Sequence, residues 1–134
     1  MTTDPPPAAT DSPFAQFIGL EPLEPSADSS SSRLVTEPHH LNPTGAIHGG
    51  ALIALADNVA TRMAGQAQAG GPNEGKFMSG IDLHATFLSN QRGGTVTATA
   101  RVVRAGRRVT VVRTQVTGDD DKLLLELTTT HIPT

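Results

Sequence analysis

The sequence predicts an α+β domain in which one long helix packs against an antiparallel sheet of five or six strands. Three observations carry this. The stretch Leu41 to Gly65, LNPTGAIHGGALIALADNVATRMAG, has a turn-rich start and a Gly pair, then a long run without Pro or Gly. Ala, Leu and Met in that run favour helix. Its apolar residues Leu52, Leu55, Ala56, Val59 and Met63 recur at i, i+3, i+4, i+7 and i+11, a single stripe facing a core. Beyond residue 77 the chain is rich in Val, Thr and Leu, often alternating, with tight turns between the runs.

In order, residues 1–13 (MTTDPPPAATDSP) read as a disordered leader, and 14–134 as one domain. Phe14 to Leu23 suggests a short helical turn packing Phe14, Phe17 and Ile18, limited by Pro22 and Pro25. Ser26 to Ser32 reads as a polar loop, and Arg33 to Glu37 as a short strand. Gln66 to Lys76 is a Gly/Pro loop after the helix. The later strands are expected at Phe77 to Leu88, Thr95 to Arg104, Arg108 to Thr117, and Leu123 to about His131. In the second of these Val96, Ala98, Ala100 and Val102 share one face. In the last, Leu123, Leu125 and Leu127 alternate. Ala105-Gly106 and Gly118-Asp119-Asp120-Asp121 supply turns.

Composition excludes several functions. There is no Cys, so there are no disulfides, thiolate nucleophiles or Cys-ligated metals. With four Phe and no Trp or Tyr, the core must be aliphatic. No signal peptide and no spanning run of apolar residues is visible, and a cytoplasmic location is expected. His39, His40, His48 and His84 show no metal-binding spacing, so no metal is expected.

The helix carries candidate chemistry. Asp57 lies roughly 140° round the helix from Leu52, off the apolar stripe, and Thr61 follows it at i+4 on the same face. The free N–H groups near Gly49 and Gly50 make an electropositive helix start. Backbone donors that stabilise an oxyanion, together with a carboxylate that attacks or activates water, suit acyl transfer. Read singly, the Gly pair is a tight turn and Asp57 a solvated helix residue; the combination is what points to catalysis. An ordinary carboxylate pKa of about 4 would leave Asp57 ionised at pH 7.

Asn42, Gly45, His48-Gly49-Gly50 and Leu55-Ala56-Asp57 together resemble the N-x-x-G-x-x-H-G-G-x4-L-A-D signature of the PaaI-like acyl-CoA thioesterases. These are hot-dog fold enzymes related to the 4-hydroxybenzoyl-CoA thioesterases. Gly80 to Leu88 (GIDLHATFL) is similar to the family's strand after the helix, and the resemblance spans roughly residues 14 to 131. It implies a sheet wrapped round the helix. Asp57 would be the nucleophile or base, the Gly49 amide the carbonyl-polarising group, Asn42 a thioester-positioning amide, and Thr61 a hydroxyl that places water. It implies a site shared between the subunits of a homodimer, with dimers pairing into a homotetramer. Two departures stand out: a Ser found at position 80 in some relatives is displaced to Ser79, and the family's Arg-Pro after the Phe-Leu pair is Ser89-Asn90.

Charge is uneven. The net is −3, yet Arg92, Arg101, Arg104, Arg107, Arg108 and Arg113 fall in a segment without acids. Arg forks bind phosphate, and coenzyme A carries several. Arg107 and Arg108, near a hairpin tip, are the better candidates; a solvated strand face is the plain alternative. Few aromatics and the acidic net charge argue against nucleic acid. With His48, Gly50, Ser79, Gly80 and Arg92, these two complete the expected substrate-binding set. The expected function is hydrolysis of an aryl- or medium-chain acyl-CoA without cofactor, the coenzyme being part of the substrate. The competing reading is a non-catalytic acyl-CoA-binding hot-dog protein. A hydratase would want an Asp/His pair, and the sequence shows no matching His.

Overall fold

The computed structural model describes residues 12–134. Most of the expected leader lies outside them, and its last two residues, Ser12 and Pro13, cap and begin the first helix. In α1 (Pro13–Ile18) the Ser12 hydroxyl accepts from the Ala15 N–H, and the leading proline has no N–H to satisfy. Then come β1 (Glu21–Pro22), β2 (Ser30–Val35), a 3-10 turn (Pro38–His40), α2 (Gly49–Gln66), β3 (Met78–Phe87), β4 (Thr95–Ala105), β5 (Thr110–Thr117) and β6 (Leu123–Pro133). The strands form one antiparallel sheet in the order β1-β2-β4-β5-β6-β3, with α2 packed on its inner face.

The long helix and the apolar stripe are where the periodicity puts them. Leu52, Leu55, Ala56, Val59 and Met63 are all buried, joined by Ala60 and Ala64. They meet Leu34, Val96, Ala98, Ala100, Val112, Val116, Leu125 and Leu127 from the sheet. Small Ala residues on both layers let the helix approach closely. The core is aliphatic, as composition requires, and all four Phe lie outside it.

Several expectations are corrected. Phe14 and Phe17 do not pack inward: they are 62% and 80% exposed, and Ala15 is the buried residue of α1. The six-residue helix also ends at Ile18, because Gly19 takes a left-handed φ of 81° and caps it. Strand β2 begins at Ser30, inside the expected polar loop, and ends before Thr36. Its ladder to β4, from Ser30↔Ala100 to Val35↔Thr95, puts Ser30, Ser32 and Leu34 on the buried face, so pairing overrides the loop preference of Ser. In β4 the inward alternation stops at half-buried Val102, where a bulge before Arg104 leaves Val103 exposed. In β6 Leu124 and Leu125 are both buried and Leu123 is only partly so; from Leu125 the inner face continues through Leu127, Thr129 and His131.

Strand β3 is an edge: it pairs with β6 alone, over ten residues, with a bulge between Gly80 and Asp82. Ile81, Leu83 and Phe87 along it are exposed. A long apolar edge is a template for pairing with another chain.

Candidate active site

The loop before α2 is built round Asn42. Its Oδ1 accepts from Thr44 N–H at 2.9 Å, Thr44 Oγ1 at 2.7 Å and Ala46 N–H at 3.2 Å. The side-chain oxygen is therefore spent on the turn, while the Nδ2 hydrogens have no partner among the described residues. Gly45 has a left-handed φ of 85°, and a Cβ there would stand 2.9 Å from Arg92 Nη1, so a side chain at this position would be strained and would push on that guanidinium. Arg92 donates to the Thr44 carbonyl and clamps this loop. The chain then reaches His48, the N-cap of α2, whose Nδ1 accepts from the Gly50 N–H at 2.8 Å. Ala51 and Leu52 N–H bond the His48 carbonyl. Gly50 N–H is thus engaged, and among the described residues Gly49 N–H has no partner.

Asp57 and Thr61 lie side by side on α2, as their spacing predicts. They line a groove of ≈ 530 Å³ whose far wall is Phe77, just before β3, and the β3 residues Ser79, Gly80, Ile81, Asp82 and Leu83. The Asp57 carboxylate makes no hydrogen bond among the described residues. Burial pushes its pKa above the ordinary 3.8, and His131 pulls the other way when charged. The expectation of an ordinary carboxylate is therefore corrected upward.

His131 is the residue the sequence reading missed. It is buried in β6, paired in register with Gly80, and a side chain starting at position 80 would meet its Cε1 at 3.7 Å. When charged, it favours the ionised form of Asp57. The carbonyl of Met78 lies 3.2 Å from Nδ1 and can only accept, so Nδ1 carries a proton; Nε2 lies 2.8 Å from Thr129 Oγ1. Burial lowers its pKa, against the opposing effects of the Met78 carbonyl and Asp57. The signal was parity: on a strand where Leu125 and Leu127 face in, so does His131.

One chain does not bring the whole expected set together. Gly49 and Asp57 are eight residues apart on a helix, about 12 Å along its axis, too far to act on one carbonyl. Ser79 stays in the Asp57 groove, its Oγ 3.0 Å from Thr134 Oγ1. Arg107 and Arg108 are exposed at the β4–β5 tip, where the Arg107 carbonyl accepts from Asn73 Nδ2 at 2.7 Å. The row Ala105↔Thr110↔His131↔Gly80 sets that tip two to three strands from the groove, about 10–14 Å. Among the described residues no group of three His, Cys, Asp or Glu could hold a metal, and no helix is long and apolar enough to cross a membrane.

His40 supports the helix start. Glu37 N–H donates to its Nδ1 at 2.9 Å, so Nε2 carries the hydrogen and donates to the Ile18 carbonyl at 2.8 Å. The His40 carbonyl accepts from His48 N–H at 2.8 Å. His40 therefore ties α1, through its imidazole, to the cap of α2, through its backbone carbonyl. His40→Ala leaves both partners unsatisfied and should lower stability by about 1–3 kcal/mol, read from urea unfolding. His40→Asn, which keeps an acceptor for Glu37, should recover part of the loss.

Known proteins share the family and the fold. The family model described as "Thioesterase superfamily" matches residues 44–125, which hold both glycines, Asp57, Thr61 and β3. A 1,4-dihydroxy-2-naphthoyl-CoA hydrolase of Listeria monocytogenes is 33% identical over 110 residues, covering 81% of this chain and 85% of its own. The phenylacetic acid degradation protein PaaI of Thermus thermophilus, solved as a point mutant, superposes with a TM-score of 0.78 at 25% identity, covering 90% of this chain and 98% of that one. A Haemophilus influenzae thioesterase shares the fold at a TM-score of 0.84 and 22% identity, over 93% and 85% of the two chains. With its single long helix on a six-stranded antiparallel sheet, this chain is a hot-dog fold enzyme and belongs to the thioesterase superfamily.

Proposed function

We propose that the protein hydrolyses an aryl- or medium-chain acyl-CoA to the free acid and coenzyme A, at a site shared by two copies of the chain. The observation that carries this is Asp57: a carboxylate with no hydrogen bond among the described residues, in a groove whose far wall is an open sheet edge. Two β3 edges pairing antiparallel would cover their exposed apolar side chains and close each groove with the partner's surface. A two-fold axis near the middle of β3 then sets Asp57 of one copy beside Gly49 and Asn42 of the other. That arrangement resolves the separation of these groups within one chain.

In the reaction, the thioester oxygen accepts from the Gly49 N–H, with Asn42 Nδ2 within the same wall. Asp57 takes a proton from water as its oxygen adds to the carbonyl carbon, and Thr61 helps hold that water. The tetrahedral oxyanion collapses, the C–S bond breaks, and the proton passes to the leaving thiolate. Direct attack by Asp57 gives an anhydride that water then cleaves. Either route uses the chain's own groups and needs no metal or redox cofactor. The Listeria relative, by its name a hydrolase of 1,4-dihydroxy-2-naphthoyl-CoA, supports an aryl acyl group.

A panel of acyl-CoA esters with free-thiol detection tests the activity: thiol release at catalytic rates is expected. Tight binding without release would favour an acyl-CoA-binding protein instead. Arg107 and Arg108 are assigned to coenzyme phosphates. Changing both to Ala should raise KM for acyl-CoA several-fold and leave kcat nearly unchanged, the mark of uniform binding. A short thioester lacking the nucleotide should be unaffected; equal losses on both substrates would show that the arginines serve the fold.

A further inference from the structure

The ring of Phe87 occupies the place where a side chain at Gly49 would be. A Cβ at Gly49 would stand 2.9 Å from Phe87 Cζ and 3.0 Å from Cε1. On a helix the Cα–Cβ bond leans towards the N-terminus, and the free first-turn N–H groups point the same way. An oxygen bonded to the Gly49 N–H therefore lies beside this ring. Phe87 is nonetheless 52% exposed, so it packs on the glycine with one part and presents the rest outward. The other three Phe are elsewhere: Phe14 and Phe17 on α1, and Phe77 at the opposite end of β3. Only Phe87 flanks the amide.

A flat, rigid wall beside a carbonyl discriminates by shape. Two carbon faces pack at roughly 3.5–4 Å. An acyl group whose carbon next to the carbonyl is trigonal, as in an aroyl or α,β-unsaturated ester, is coplanar with the carbonyl and can lie along the ring, in the offset or edge arrangements aromatic pairs prefer. A tetrahedral, branched carbon there projects a methyl group out of that plane, towards the ring. The sulfur side of the carbonyl carries the same methylene arm in every acyl-CoA, so any discrimination falls on the acyl side.

We propose that Phe87 is a specificity-determining residue: a planar wall beside the Gly49 amide that admits acyl groups flat at the carbon next to the carbonyl and turns away those branched there. This rests on the reading of Gly49 as the carbonyl-polarising donor. The test compares benzoyl-CoA with 2-methylpropanoyl-CoA in the full-length wild-type enzyme, Phe87→Leu and Phe87→Ala, with straight-chain hexanoyl-CoA as a third ester. Wild type should favour benzoyl-CoA over the branched ester. Phe87→Ala should lower kcat/KM for benzoyl-CoA by about tenfold and raise it for the branched ester by a similar factor, the two moving in opposite directions. Phe87→Leu, which keeps apolar volume, should show the first change more than the second.

A loss of equal size on both esters would show a packing role and overturn the assignment, as would a wild-type preference for the branched ester. Both results leave the hydrolase reading standing. If wild type releases no thiol from any of the three esters, the hydrolase reading fails with these substrates and the Phe87 assignment falls with it.

Discussion

Asp57→Asn should lower kcat on a preferred acyl-CoA by about 10²–10⁴, the range of a lost general base, and further if Asp57 is the nucleophile. The substitution keeps shape and removes charge, so a non-hydrolysable acyl-CoA analogue should bind at least as well as before. The pH profile gives an independent check. Burial raises the Asp57 pKa, so the acid limb of kcat/KM should lie above the ordinary carboxyl value of 3.8, and it should vanish in the variant's residual activity. Stability follows from the same shift. A carboxyl whose folded pKa exceeds its unfolded one favours the folded state below the unfolded pKa, and that advantage is lost as pH rises through the folded value. At neutral pH the ionised group therefore opposes folding, and Asp57→Asn should melt no lower than wild type. Single-turnover hydrolysis in ¹⁸O-water separates the routes: label in Asp57 marks an anhydride, label only in the product acid marks water attack.

Breaking the β3 edge should remove activity with Asp57 itself unchanged, in a groove that the two substituted residues also line. Ile81 and Leu83 are exposed on that edge, so Ile81→Lys with Leu83→Lys adds charge where a second edge would pair, at little expense to the monomer core. The variant should run as a monomer by light scattering and keep its circular dichroism spectrum. Its kcat/KM should fall by about 10²–10³ or more, because each Asp57 loses the partner's oxyanion donor. A fully active monomer would contradict the shared site.

The main frame was legible in the sequence because period is a strong signal. The stripe from Leu52 to Met63 had to face a core, and Asp57 and Thr61 had to share another face. The Ser-rich start of β2 was not legible, since its strand character comes from pairing with β4 and not from its own residues. Phe14 and Phe17 read as core because large aromatics usually are; α1 turns them outward and buries Ala15. The resemblance singled out the Gly49 amide, but the physical distinction between the two glycines is a side-chain contact that no motif carries: His48 Nδ1 takes the Gly50 N–H. The raised pKa of Asp57 and its coupling to His131 needed the depth of the groove and the register of β6 against β3, neither of which a local pattern carries.

Subunit complementation tests the shared site most directly. Asp57→Asn and Gly49→Val each disable both sites of a homodimer, the second by driving a side chain into the Phe87 ring. Mixed after dissociation and allowed to reassemble, about half the dimers should be hybrids, each with one site that has Asp57 from one copy and Gly49 from the other intact. The account predicts a return to about a quarter of wild-type activity, as random two-fold assembly requires. Hybrids that form, as shown by mass spectrometry, yet remain as inactive as their parents would contradict it.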